Sequence, residues 1–326
     1  MKSLSRSAKT AGQFLLLAFI LTSLRLPAQD KTAEAAWKKS NAQAESALKK
    51  NQINQARELY ASAVTSAEKL NANDARLTET LRHFGSVSLQ LGETPDAERA
   101  FRRALALDEK RLGTNDLHLA EELLDLGEVC MDMNRFEEAD EYFVRAQAMV
   151  EKRFGRYDRV VGICLQGRGD AALQDDRLAD AEKFLKEALE LAESPRVRVN
   201  FQINQYATRA IQRPNKGQVA SVLNDFGVLY KKMKKYDKSE DSLKRSLGLF
   251  ETQYGRNSLF LCNPLVNYAE TFVEEKKYRD AETMLRRCVA ILKTAKSDHP
   301  LTDSAQRFLD AVVALEKKGA ATPPAR

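Results

Sequence analysis

Apolar side chains fall three and four residues apart through most of this chain, the spacing that lines one face of a helix. The pattern also recurs on a longer scale. The decamer "KKYDKSEDSL", Lys234 to Leu243, returns 42 residues later as "KKYRDAETML", Lys276 to Leu285. Aligning the small residue of these segments gives Ala56, Ala97, Ala139, Ala181, Ser239 and Ala281, at steps of 41, 42, 42, 58 and 42 residues. The step of 58 is one period plus an insertion of 16. Around this marker the phases are constant. Sixteen before it stand Leu81, Leu123, Leu165, Leu223 and Leu265; thirteen before stand Phe84, Leu126, Arg168, Phe226 and Tyr268. Twelve before stand Gly85, Gly127, Gly169, Gly227 and Ala269. Four after it come Phe101, Phe143, Leu185, Leu243 and Leu285, and seven after come Ala104, Ala146, Ala188, Ser246 and Cys288.

Each unit therefore predicts two helices joined by a polar turn. In the last copy Lys276, Lys277 and Arg279 read as that turn, solvated and free to vary. The small residue twelve before the marker should face the marker across the pair, because close helix crossings need small side chains. A mid-helix glycine costs roughly 1 kcal/mol against alanine. Four units accept that cost, which puts packing geometry above propensity.

Large–x–x–large–small, then an alanine, an aromatic or leucine, and a second small residue: this succession resembles the tetratricopeptide repeat. The 42-residue period, the phrases "ALALDEKRLGTNDLHLAEEL" and "KSDHPLTDSAQ", and connector glycines Gly113, Gly155 and Gly255 look like the kinesin-light-chain type. The resemblance covers about residues 34–317 outside the insertion. It implies an all-α fold, a right-handed α-solenoid of about six antiparallel helix pairs spanning 29–317, with a capping helix from about Thr302 to Lys317. Residues 318–326 would be a frayed tail. It also implies a concave wall lined by the first helix of each pair, holding a protein or peptide. On that wall fall Glu79 and Arg82; Glu121, Leu124 and Glu128; Gln166 and Asp170; and Asn224 and Lys231. The wall reads as acidic early and basic at Lys231. The asparagine ladder of "LNNLA"-like helices is reduced to Asn224 and Asn267.

The insertion, Pro195 to Gln218, carries Arg196, Arg198, Arg209, Arg213 and Lys216 with no acid from Ser194 to Asn224. Its apolar residues fit a strand or a helix equally, and a partner-contacting loop or an extended repeat helix equally. Cys262 and Cys288 stand 19 before and 7 after their marker, so they should lie nearly opposite each other. A disulfide and a pair of small buried thiols are both compatible with that placement.

The N-terminus changes the reading of charge. Lys2, Arg6 and Lys9 precede the apolar run Phe14–Leu24, and a small residue, Ala28, follows. This is the layout of a secretory signal peptide over residues 1–28, with an uncleaved anchor as the competing reading. Without the four bases of that segment, the formal charge falls from +6 to +2. The basic balance thus gives no support for a nucleic-acid partner.

Composition agrees with long helices: only 14 Gly and 8 Pro serve 326 residues. Catalytic signals are thin. His83, His118 and His299 are scattered, and the four cysteines form no CxxC. "GRGDAA" at Gly167 has part of a dinucleotide loop, and contains Arg168-Gly169-Asp170, but its phase makes Gly169 a packing residue. No cofactor, metal or catalytic residue is assigned. The sequence predicts an exported, non-enzymatic scaffold for a protein or peptide; the alternative is a self-associating assembly factor of the cell envelope, as a homo-oligomer.

Overall fold

A computed structural model describes residues 31–70, 75–199, 215–295 and 301–321. The expected signal segment, Arg209 and Arg213 of the insertion, His299 and the end of the tail lie outside the described residues. The described residues are helices and their connectors, apart from one isolated parallel bridge between Asp158 and Arg198. The chain divides into two compact units, Met1–Val129 and Cys130–Arg326.

The first unit holds α1 (31–49), α2 (Ile53–Ala67), α3 (Ala75–Gln90), α4 (Thr94–Leu112) and most of α5 (Leu119–Asp132). The second holds α6 (Phe136–Phe154), α7 (Arg159–Gln174), α8 (Leu178–Glu193), α9 (Asn215–Lys232), α10 (Tyr236–Tyr254), a 3-10 turn (Leu259–Leu261), α11 (Cys262–Glu274), α12 (Tyr278–Ala295) and α13 (Leu301–Ala321). Within each unit, helices next to each other in the chain pack against each other, α3 on α4 in the first and α6 through α13 in succession in the second. This is the helical-pair architecture the periodicity predicts. Two boundaries differ. The capping helix continues to Ala321, beyond the expected Lys317. Helix α9 starts at Asn215, so Lys216, Gly217 and Gln218 belong to it and not to the insertion.

The markers sit at the centre of the packing. Ala56, Ala97, Ala139, Ala181, Ser239 and Ala281 are all fully buried. In the fifth pair the marker's contact is visible as a hydrogen bond. Ser239 Oγ donates to the carbonyl of Gly227, twelve residues earlier, at 2.7 Å. The glycine Cα–H bond points elsewhere. A Cβ on Gly85 would lie 2.7 Å from the Phe101 ring, and one on Gly169 would lie 2.7 Å from Leu185. The glycine's backbone thus faces the marker, while the missing side chain makes room for the large residue four positions on.

The turn inside each pair is more constrained than its letters suggest. Asn51, Asn134, Asp176, Lys234 and Lys276 take φ between 54° and 61°, and Gly92 takes 77°. Each stands five before its marker, in the left-handed conformation that ends a helix. The next amide closes the turn on the carbonyl five residues back, as Lys277 N–H does on Phe272 O at 2.8 Å. That pairing is the Schellman stop. The Lys277 ammonium lies 2.7 Å from Glu240 and 3.0 Å from Glu275, with its side chain still half-exposed. Arg279 meets Glu316 at 2.8 Å.

Candidate functional site

In the first unit the wall positions of α3 and α5 converge on one cation. Arg82 pairs with Glu121, and its Nε lies 3.4 Å from Glu122 and 3.9 Å from Asp125. The four side chains are 14%, 11%, 2% and 8% exposed respectively. Three carboxylates around one guanidinium cannot all be neutralised by it. Burial pushes the Glu122 carboxyl up to about 7 against the pull of Arg82, and pushes Asp125 well above the carboxylate range. His83, its ring tilted at 57° against that of Tyr60, is driven down to about 4 by burial and by Arg82 beside it. Leu124 is buried in the core, Glu128 is partly covered, and Glu79 is exposed. Sequence reasoning selected Glu121 and Glu128 but missed Glu122 and Asp125. The available signal was two acids inside the apolar stretch "LAEELLDLGEV".

This cluster sets a pH dependence. Glu122 holds its proton more tightly folded than unfolded, so its share of stability is complete below its ordinary 4.5 and is lost as pH rises through about 7. Asp125 acts in the same direction. His83 acts oppositely: its share is present above 6.5 and is lost as pH falls toward 4. Above pH 6.5 only the carboxylates remain active. The first unit should therefore lose stability between about pH 6.5 and 8, with a ceiling of about 1.4 kcal/mol per pH unit for each carboxylate. The chain's single tryptophan, Trp37, donates to Thr80 at 2.9 Å inside this unit, so its fluorescence reports the unfolding. Equal midpoints at both pH values, or the same fall after Glu122→Gln with Asp125→Asn, would contradict the assignment.

The second unit's wall is a satisfied polar ladder. Gln166 Nε2 on α7 donates to Ser221 Oγ at 2.9 Å and Asp225 Oδ2 at 2.5 Å on α9. Asn267 Nδ2 on α11 donates to Asn224 Oδ1 at 2.8 Å. Lys231 pairs with Glu270, which offsets the basic character that the sequence assigns to this position. Lys232 Nζ reaches Leu173 O at 3.0 Å and Asp176 at 2.6 Å. The contacts from α7 to α9 show that the insertion leaves the stacking of this unit uninterrupted. Asp170 also stands on α7, partly buried. Its neighbour Arg168 occupies a position that is aromatic or leucine in other copies; it lies 4.1 Å over the Phe184 ring and 2.8 Å from Asp140. Gly169 is packed in the same helix, so this tripeptide is not a loop tip.

The described start of the insertion docks on the connector before α7. Arg198 N–H donates to Tyr157 O, and Arg159 N–H donates to Arg198 O, both at 2.9 Å. Arg196 lies 5.5 Å over the Tyr157 ring. Together with Arg156, Glu190, Leu191 and Ser194, these two line a cleft of about 380 Å³. Cys262 and Cys288 are free thiols, both buried, and Cys288 Sγ–H lies 3.8 Å from Cys262 O. Among the described residues no group of His, Cys, Asp and Glu is placed to hold a metal, and no helix is long and apolar enough to cross a membrane.

Comparisons with known proteins bear on the fold. The tetratricopeptide repeat family profile matches residues 119–194 and 218–294. Among curated proteins no sequence matches the chain. Among solved structures it is similar to BtubC (BKLC) from P. vanneervenii, at 18% identity over 84% of this chain and 94% of that one, with a TM-score of 0.50. It is also similar to a putative kinesin light chain from Podosopora anserina with nearly identical TPR-like repeats. There identity is 12% over 69% of this chain and 98% of that one, with a TM-score of 0.50. A Rap protein complexed with Competence and Sporulation Factor matches at 15% identity over 87% of this chain and 76% of that one, with a TM-score of 0.54. By family match and by fold, this chain carries tetratricopeptide repeats, at 119–194 and at 218–294.

Proposed function

We propose that this protein is an exported, non-catalytic interaction module that captures a protein or peptide segment, with the wall of its first unit as the primary contact. The observation that carries the reading is the acidic lip of that wall: Glu79 is exposed on α3 and Glu128 partly exposed on α5, whereas Glu122 and Asp125 are buried around Arg82. A segment bearing Lys or Arg meets complementary charge there, which favours encounter and orientation. The second unit's ladder spends its polar groups on each other, so Gln166, Asp170, Asn224 and Lys231 shape the wall more than they offer open valences. The related fold of a Rap protein is known in a complex with a named factor, consistent with a groove-forming array. Export rests on the N-terminal layout of Lys2, Arg6, Lys9, Phe14–Leu24 and Ala28.

The test is selection of a displayed random-peptide library on the chain beginning at Gln29. Enriched peptides should be basic, and should bind at least about tenfold more weakly after Glu79→Lys with Glu128→Lys, a loss of about 1.4 kcal/mol. Glu121 is left in place because its reversal would break the Arg82 cluster. Peptides without basic enrichment, or binding unchanged in the double variant, would overturn the assignment of this wall.

A further inference from the structure

We propose that Cys262 and Cys288 are a redox-active pair that closes to an intrachain disulfide, pinning the first turn of α11 to the middle of α12. The inference is independent of which partner the wall holds.

The geometry comes from the repeat. Positions 19 before and 7 after the marker are the crossing point of each pair, occupied by Gly162 and Ala188 in the fourth and Ala220 and Ser246 in the fifth. In the fifth pair the approach is close enough for Ser246 Oγ to donate to Ala220 O at 2.6 Å. The sixth pair places a cysteine on both sides of the same crossing. Cys288 Sγ there points at Cys262 O, 3.8 Å away. A disulfide needs Cβ atoms about 3.5–4.5 Å apart, and the approach of Cys288 Sγ to the Cys262 backbone sets the two side chains on facing sides of one crossing. Chance burial of thiols explains Cys164, deep in α7, but not two thiols at matched crossing positions.

The two sulfurs differ in kind. Cys262 opens α11 directly behind the turn Leu259–Leu261; it is 5% exposed and Cys288 1%, so reaction with an external disulfide requires this turn, with its exposed Leu259 and Phe260, to open. The neighbouring Cys288 side chain holds the Cys262 thiol below its usual range, while the Cys262 side chain and burial raise that of Cys288. With a small disulfide such as oxidised glutathione, the Cys262 thiolate attacks one sulfur and expels one glutathione thiolate. Cys288 then gives its proton to solvent, attacks the Cys262 sulfur and expels the second. Two protein thiols are oxidised by two electrons and the glutathione disulfide is reduced to two thiols.

The experiment treats the full chain with oxidised glutathione, quenches in acid, denatures, alkylates and measures intact mass. The expected result is two alkylated thiols in place of four, a mass lower than the fully alkylated chain by two alkyl groups, and a peptide joining the segments around 262 and 288. The thermal midpoint of the second unit should rise by roughly 5–10 °C and return on reduction. Cys288→Ser should fold, since serine fills this position at Ser246, and should show neither cross-link nor shift. Four alkylated thiols, stable glutathione adducts in place of the cross-link, or a bridge between other cysteines would each overturn the proposal.

Discussion

Replacing Arg82 with leucine should destabilise the first unit by about 3–5 kcal/mol, the cost of stripping a buried charge cluster of its counter-ion. The size of the effect comes from what remains. Glu121, Glu122 and Asp125 would stay within a few ångströms of each other, largely shielded from water, with no cation among them. Burial already raises the proton affinity of Glu122 and Asp125 against the pull of Arg82, so the variant would bind protons still more tightly. Its deficit should therefore grow as pH rises, and should be smallest near pH 5. Arg82→Lys should rescue only part, because a single ammonium cannot fork between Glu121 and the two deeper carboxylates. Leucine at 82 combined with Glu122→Leu and Asp125→Leu should recover much of the loss, since a packed apolar replacement of a buried ion cluster is often neutral. Urea unfolding followed by Trp37 fluorescence measures all four chains. A deficit under about 1 kcal/mol in Arg82→Leu, or one that shrinks with rising pH, would show that the cluster is solvated and not a stabilising core.

The repeat was legible because helix packing constrains volume at fixed phases. Ala97, Phe101, Leu223 and Gly227 are dictated by a crossing geometry that every copy must satisfy, so periodicity alone places them. The turn residue five before the marker was invisible for the opposite reason. The backbone demands a left-handed φ there, but Asn, Asp, Gly and Lys all meet it, so no letter repeats. The wall was legible only as positions. Whether Lys231 is an open cation depends on Glu270, 39 residues away on the next first helix, and single-helix reading does not see that pair. The same holds for Arg82: the sequence places it next to a core position, and only the packing of α5 against it shows that it neutralises a buried acid cluster. Charges on a wall are properties of neighbouring repeats, whereas volumes at a crossing are properties of one.

Gly227→Ala should destabilise the second unit by about 1–3 kcal/mol, although alanine is the better helix former by about 1 kcal/mol. The added Cβ would overlap the branch carbon of Leu243, a side chain with no exposed surface, and would lie 2.6 Å from its Cδ2. Leu243 cannot swing away, because it sits at the crossing where Ser239 holds Gly227 through its carbonyl at 2.7 Å. Either α9 and α10 move apart or the leucine leaves its rotamer, and both carry a cost of that order. Gly248→Ala on α10 supplies the control. A Cβ there meets nothing within 4 Å, so the same substitution should stabilise by up to about 1 kcal/mol. Leu243→Ala alone should cost about 2–5 kcal/mol by opening a cavity. In the Gly227→Ala background part of that cavity is filled by the new methyl, so the double variant should lose less than the sum of the two single losses. Thermal unfolding followed by far-ultraviolet circular dichroism distinguishes the cases. Equal and favourable effects at Gly227 and Gly248 would mean that helix propensity, and not the close approach of α9 to α10, governs this crossing.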